Sequence, residues 1–277
     1  IDNKRLLNLS SNDYLGLSTD KILLKEFINS NFNDDEFLFS SASSRLLTGS
    51  SSVYNLLEEN LAGRFKKEKA LLFNTGYQCN LGVVSSIAKQ GDIIFSDKLN
   101  HASIIDGIKL SNASFYRYKH LDYNHLESLL QKYRNKYKNA FIISESIFSM
   151  DGDVASVEKL IELKKKYNCV LMVDEAHAFG VFGKNLCGYF ENNLDDIDII
   201  TATFGKALAS QGAFAVANKD IINFLINKAR SFIFSTAIPS ASVLWTNWLL
   251  NEKFEILQQQ QKKLQKLLKK VEQYLNK

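Results

Sequence analysis

The sequence predicts an α/β fold built on a mainly parallel sheet. Three observations carry that expectation. Short apolar runs rich in β-branched residues recur along the chain. Stretches with helical periodicity separate several of them. Hairpin signals between the runs are few, so crossover connections are expected to join the strands.

In chain order, the strands are expected at residues 70–74, 92–96, 140–144, 169–174, 198–203 and 213–217. Ala70-Leu71-Leu72-Phe73 runs into Asn74-Thr75-Gly76-Tyr77 and then into a helix-like segment. Residues 157–167 read as an amphipathic helix whose apolar face is Leu160, Ile161 and Leu163. The tail, 245–277, carries Leu257, Leu264, Leu268, Val271 and Leu275 at three-, four- and seven-residue steps, one apolar seam on one long helix. With a single proline, Pro239, and no internal repeat, there is little other punctuation. The expected organisation is an N-terminal arm (1–35), a large domain (36–240) and a long helix (241–277).

Composition excludes several classes of function. The 277 residues are 45% hydrophobic and 23% charged, ordinary for a globular protein with one sizeable core. The net charge of +4 comes with lysine runs, Lys164 to Lys166 and Lys262, Lys263, Lys266, Lys269 and Lys270, interleaved with apolar residues at helical spacing. These read as solvated helix faces, and no basic-aromatic stripe suggests nucleic acid. Cys79, Cys169 and Cys187 are too far apart for a metal knuckle, and their odd number points to a reducing compartment. No apolar run reaches membrane-spanning length and no signal peptide is visible, so a cytoplasmic location is expected. The first residue is Ile1, which suggests a trimmed N-terminus.

Parallel sheets place ligands at the carboxyl ends of their strands. Two further ends carry unusual polar chemistry: Val170-Leu171-Met172-Val173 leads into Asp174-Glu175-Ala176-His177, and Ile199-Ile200-Thr201-Ala202 into Thr203-Phe204-Gly205-Lys206. An acid at the end of a buried strand needs a partner. The small, apolar neighbours of Lys206 disfavour its ammonium form, as an amine nucleophile requires. A structural Asp174–Lys206 ion pair competes with that reading. A nucleotide-hydrolase reading of Asp-Glu-Ala-His fails, because no Gly-rich phosphate loop ending in Gly-Lys-Ser/Thr lies upstream. A metal site at His101, Asp174 and His177 lacks supporting ligand spacing. Pyridoxal-phosphate chemistry needs a Schiff-base lysine, an acid at the pyridinium nitrogen and phosphate ligands. Lys206, Asp174 and the Gly76-Tyr77 helix start supply all three.

The sequence resembles the α-oxoamine synthases, a fold-type-I family of pyridoxal-phosphate-dependent acyltransferases. The segments that carry the resemblance are Ser10 to Gly16, Ser44 to Gly49, Asn100 to Ser103, Phe148 to Asp153, Val173 to His177, Thr203 to Lys206 and Phe234 to Thr236, in family order over nearly the whole chain. Thr203 to Leu208, Gln211 to Phe214 and Arg230 to Thr236 lean towards the branch that joins L-alanine to a pimeloyl thioester (pimeloyl-CoA or pimeloyl-ACP) in biotin synthesis. The sister branch, which acylates glycine with a short acyl-CoA, is the alternative, as is a truncated or non-catalytic subunit.

The resemblance implies the large domain of a fold-type-I transferase, pyridoxal 5'-phosphate as cofactor, and a homodimer with shared active sites. It makes Lys206 the Schiff-base lysine and general base, and Asp174 the partner of the pyridinium nitrogen. His177 and Ser149 would contact the ring hydroxyl side, and His101 would stack on the ring and approach the substrate carboxylate. Gly76, Tyr77 and Thr203 would anchor the cofactor. Thr236 would reach the phosphate of the neighbouring subunit, and Asn12 would lie near the amino-acid carboxylate. No metal is implied. Relatives carry a C-terminal small domain that is expected to be missing here, and a longer N-terminal segment.

Overall fold

In the computed structural model, residue 8 and residues 10–275 are described. A seven-stranded sheet organises them. Its strands are β1 (Lys69–Phe73), β2 (Ile93–Asp97), β3 (Ser114–Tyr118), β4 (Ala140–Glu145), β5 (Val170–Asp174), β6 (Ile199–Thr203) and β7 (Ala213–Ala217), in the spatial order β1-β7-β6-β5-β4-β2-β3. Only β7 runs against its neighbours, pairing antiparallel with β1 and β6. The other pairings are parallel, and the carboxyl ends of β1, β2, β4, β5 and β6 therefore share one edge.

Strand side chains alternate between two cores, as the period-2 geometry of a strand requires. Ile93, Phe95, Leu171 and Val173 face one core, and Ile94, Ile143, Met172 and Ile199 face the other. The first core is covered by α1 (Lys21–Asn31), α2 (Ser52–Arg64), α5 (Tyr123–Tyr133), α6 (Val157–Tyr167) and α9 (Ser240–Asn251), which bury Phe27, Leu57, Leu126, Leu160 and Val243. The second is covered by α3 (Gly76–Ile87), α4 (Ala102–Ser111), α7 (Lys219–Lys228) and the short α8 (Arg230–Ile233). Covering both faces is what lets the central strands be apolar throughout. Gly107 allows α4 to approach α3 closely: a Cβ there would lie 2.9 Å from Val84 Cβ and 3.2 Å from the Asn80 carbonyl oxygen.

Two elements differ from expectation. Strand β3 was not foreseen, because Ser-Phe-Tyr-Arg-Tyr lies at the sheet edge, with Phe115 and Arg117 exposed and only Tyr118 fully buried. The tail is not one long helix over 241–277: α9 ends at Asn251, and α10 (Phe254–Leu275) begins after a break at Glu252 and Lys253. Leu257 is buried, whereas Leu268, Val271 and Leu275 are exposed, so only the start of the seam packs on the core. No helix among the described residues is long and apolar enough to cross a membrane.

Candidate active site

A cavity of about 190 Å³ opens at the carboxyl edge of the sheet. Seven of the predicted residues line it: Gly76, Tyr77, His101, Asp174, His177, Thr203 and Lys206. Asn80, Ser103, Glu145 and Ala176 complete the wall.

Lys206 lies in the loop between β6 and β7. That loop is closed by backbone bonds from Phe204 N to Gly212 O (2.9 Å) and from Ser210 N to Phe204 O (3.1 Å), while Ala207 and Leu208 are buried beneath it. The Lys206 Nζ is 2.7 Å from His177 Nε2. Among the described residues no ion pair within 4 Å joins Lys206 to Asp174, whose charge acts on the lysine from farther away. Burial pushes the Lys206 pKa below that of an ordinary lysine, against the opposing pull of Asp174 and Glu145. Burial, followed by the charges of Lys206 and His101, lowers His177 to about 4, so its imidazole is neutral at pH 7. From the far side, Tyr14 Oη meets His177 Nδ1 at 2.7 Å.

Asp174 ends β5, and its carboxyl is held by neighbours of fixed geometry. Its Oδ1 accepts from Ala176 N at 2.8 Å, and its Oδ2 accepts from Asn80 Nδ2 at 2.6 Å. Asn80 also donates to Ser103 Oγ (3.1 Å) and accepts from Thr201 Oγ1 (2.8 Å), which fixes its amide. Directly across the ladder from Asp174, in register, is Glu145. Only 3% of Glu145 is exposed, and its Oε1 accepts from His101 N at 2.6 Å. Burial, then the adjacent Asp174, raises its pKa to about 8. The His101 side chain caps α4, with Nδ1 accepting from Ser103 N at 3.2 Å.

Helix α3 starts at the cavity wall. Thr75 caps it by accepting from Gln78 N at 3.1 Å. The N–H groups of Gly76 and Tyr77 remain at the open end of the helix, where an anion is favoured. Thr203 Oγ1 donates to Gly212 O (3.0 Å) and accepts from Gly205 N (3.1 Å), and its side chain lies close to Gly76. The Tyr77 hydroxyl donates to Asp106, and its ring meets His101 edge to face at 6.4 Å.

Three predicted residues lie outside the cavity wall. Ser149 is exposed in the loop after β4, and Thr236 is exposed, with its carbonyl accepting from Asn74 Nδ2 at 2.6 Å. Asn12 is exposed and touches the site only through Tyr14, whose hydroxyl donates to Asn12 Oδ1 at 3.2 Å. Sequence reasoning overlooked Asn80, Glu145 and Tyr14. A signal for Asn80 existed, one helical turn after Gly76. Glu145 too ends a buried strand in an acid, the pattern that singled out Asp174.

Glu175, next to Asp174, is structural. It is fully buried and accepts from Ser146 Oγ (2.6 Å), Tyr189 N (3.0 Å) and Phe190 N (2.9 Å). Gly188 is required beside it: at φ +118° a Cβ would lie 2.6 Å from the Glu175 carboxyl carbon.

The chain is 49% identical over 251 residues to a Neisseria gonorrhoeae protein named as an 8-amino-7-oxononanoate synthase, covering 90% of this chain and 66% of that one. It thus spans slightly less than two thirds of the length of these curated relatives. A Francisella tularensis 8-amino-7-oxononanoate synthase superposes with a TM-score of 0.69 at 30% identity, covering 92% of this chain and 70% of its own. A serine palmitoyltransferase from S. paucimobilis, solved with a bound PLP–myriocin aldimine, superposes with a TM-score of 0.79 at 28% identity, over 87% of this chain and 60% of its own. A family model, aminotransferase class I and II, matches residues 4–277, nearly the whole chain and every strand-end residue of the site. This chain belongs to the aminotransferase class I and II family.

Proposed function

We propose that this chain binds pyridoxal 5'-phosphate at Lys206 and belongs to an α-oxoamine synthase that condenses L-alanine with a pimeloyl thioester, from coenzyme A or acyl carrier protein, to give 8-amino-7-oxononanoate, carbon dioxide and the free thiol, for biotin synthesis in the cytoplasm. The observation that carries the reading is one cavity uniting a buried lysine amine, a strand-end carboxyl and an open helix N-terminus. Those groups suit an aldehyde, a protonated ring nitrogen and a phosphate, the three functional groups of pyridoxal phosphate. When bound, the cofactor supplies an electron sink for a carbanion at the amino-acid Cα.

The chain's own residues then have defined tasks. Lys206 would hold the cofactor through its Nζ, and the same amine is placed to act as the base for the amino-acid Cα proton. Asp174, oriented by Asn80 and the Ala176 N–H, faces the ring nitrogen. Gly76, Tyr77 and Thr203 hold the phosphate end. His101 lies against the ring and approaches the substrate carboxylate, with Asn12 beside that carboxylate. His177 and Ser149 serve the ring hydroxyl side. Thr236 reaches the phosphate of a second copy, in a homodimer with shared active sites. The 49% identity to proteins named for this activity favours alanine and a pimeloyl thioester over glycine and a short acyl-CoA.

The test has two parts. Pyridoxal phosphate followed by borohydride should leave a mass addition on the Lys206 peptide, and Lys206→Ala should lose it; retention of an equivalent fixed adduct by the variant overturns the cofactor assignment. Turnover with alanine plus pimeloyl-CoA or pimeloyl-ACP, compared with glycine plus acetyl-CoA, tests the substrate assignment. Preference for the second pair overturns it.

A further inference from the structure

Tyr14 is fixed in place by the turn that carries it. Asp13 accepts from Leu17 N (2.9 Å), Ser18 N (3.0 Å) and Ser18 Oγ (2.6 Å), while Leu15 and Leu17 are buried on either side of Gly16. The turn delivers the Tyr14 phenol to His177 Nδ1, opposite the face on which His177 Nε2 meets Lys206. Asn12, in the same turn, receives the phenol proton. Four side chains from three segments thus form one line: Lys206, His177, Tyr14 and Asn12.

The protons on that line follow from the chemistry of its members. A neutral imidazole has one donor nitrogen and one acceptor nitrogen. An ammonium at Lys206 has only donors, so His177 Nε2 must accept. His177 Nδ1–H then donates to Tyr14 Oη, and the Tyr14 hydroxyl donates to Asn12 Oδ1. Every donor meets an acceptor. Reversing the ring tautomer would set Nε2–H against the Lys206 ammonium and remove that match.

We infer that Tyr14 is a positioning residue that holds His177 as its Nδ1–H tautomer and so keeps an acceptor on the Lys206 ammonium. The other titratable groups bearing on Lys206 are Asp174 and Glu145, and those bearing on His177 are Lys206 and His101. None of them is hydrogen-bonded to His177 Nδ1, so Tyr14, whose proton goes to Asn12, is the acceptor that reinforces from the Nδ1 side the tautomer the Lys206 ammonium requires at Nε2. The importance of Lys206 rests on the function proposed above; the tautomer is a property of the chain itself.

The experiment uses cofactor-free protein with 15N-labelled imidazole, compared with Tyr14→Phe, which keeps the ring and loses the hydroxyl. Near pH 6.5 the wild type should have a protonated Nδ1 and a bare Nε2 at His177. In Tyr14→Phe the tautomer ratio should shift by about tenfold towards Nε2–H, the effect of losing one well-placed hydrogen bond. Lys206, titrated by the pH dependence of its carbamylation by cyanate, should fall in pKa by about one unit as its ammonium loses an acceptor. A merely structural role predicts the opposite sign, because a loosened turn admits water and raises Lys206 towards its ordinary value. Asn12→Ala, which removes the acceptor of the phenol proton, should shift the tautomer in the same direction but by less.

An Nε2–H tautomer in the wild type overturns the inference even if the variant does not fold. An unchanged tautomer, or a Lys206 pKa that stays or rises in Tyr14→Phe, overturns it as well. Because no cofactor is present, these results stand apart from the borohydride test of cofactor attachment.

Discussion

Replacing Glu145 by glutamine should stabilise the protein, and increasingly so as pH rises. Glu145 is 3% exposed and its pKa is raised from 4.5 to about 8, by burial first and by Asp174 second. Between those values the unfolded chain binds fewer protons here than the folded chain, so stability falls with rising pH. Working from the two pKa values, holding this carboxyl in the fold costs about 1.4 kcal/mol near pH 5.5 and about 4 kcal/mol near pH 7.5. The difference, about 2.5 kcal/mol, is the upper limit, and relaxation and water entry around the charged carboxyl bring it down to about 1 kcal/mol. Glutamine has nearly the same shape, keeps an oxygen for His101 N and has no proton to lose. Urea unfolding of both proteins near pH 5.5 and pH 7.5 measures the effect. The stability difference should grow by about 1 kcal/mol in favour of the variant at the higher pH. A pH-independent difference, or one that grows in favour of the wild type, refutes the reasoning.

Asn80→Ala should cost about 1–3 kcal/mol in urea unfolding, since it removes a buried partner from Asp174, Ser103 and Thr201 together. His120 bridges Asp97 (2.8 Å) and Asp153 (2.7 Å); burial opposes its charge, but those hydrogen bonds raise its pKa. Its contribution is therefore full below the unfolded histidine pKa and is lost as pH rises through the folded value. His120→Ala should thus destabilise more near pH 5.5 than near pH 8.5 in thermal unfolding. Gly188→Ala should destabilise by about 2–4 kcal/mol, because it adds strain at positive φ to a collision with Glu175.

Much of the sheet was legible because its strands are buried on both faces and read as uninterrupted apolar runs; β5 and β6 are examples. The edge strand β3 was not, since Phe115 and Arg117 face outward and leave only Tyr118 as a core signal. The break at Glu252 and Lys253 was invisible for a different reason. No glycine or proline marks it, and apolar residues at helical spacing stand on both sides of it, Leu249 and Leu250 before and Leu257 after. At the site, Lys206, Asp174 and His177 stood out because they follow apolar strands. Tyr14 did not: it lies 163 positions before His177, and only the folded turn brings them together.

Asp174 and Glu175 show why residue type at a strand end does not settle a role. They are adjacent acids, and both are buried. Glu175 turns away from the cavity into three donors supplied by Ser146, Tyr189 and Phe190, which tie the loop ending at Phe190 to the sheet. Asp174 turns towards the cavity, and its orienting donors come from Asn80 and Ala176, both of which line that space. The alternation of β5, carried one residue further by the bond from Glu175 N to Thr201 O (2.8 Å), sets this division, since successive extended side chains point to opposite faces. A swap of the two roles would require a register shift of β5 by one residue, which would also exchange Met172 with Leu171 and Val173 between the two cores. The packing of three apolar residues thereby decides which of two neighbouring carboxyls faces Lys206.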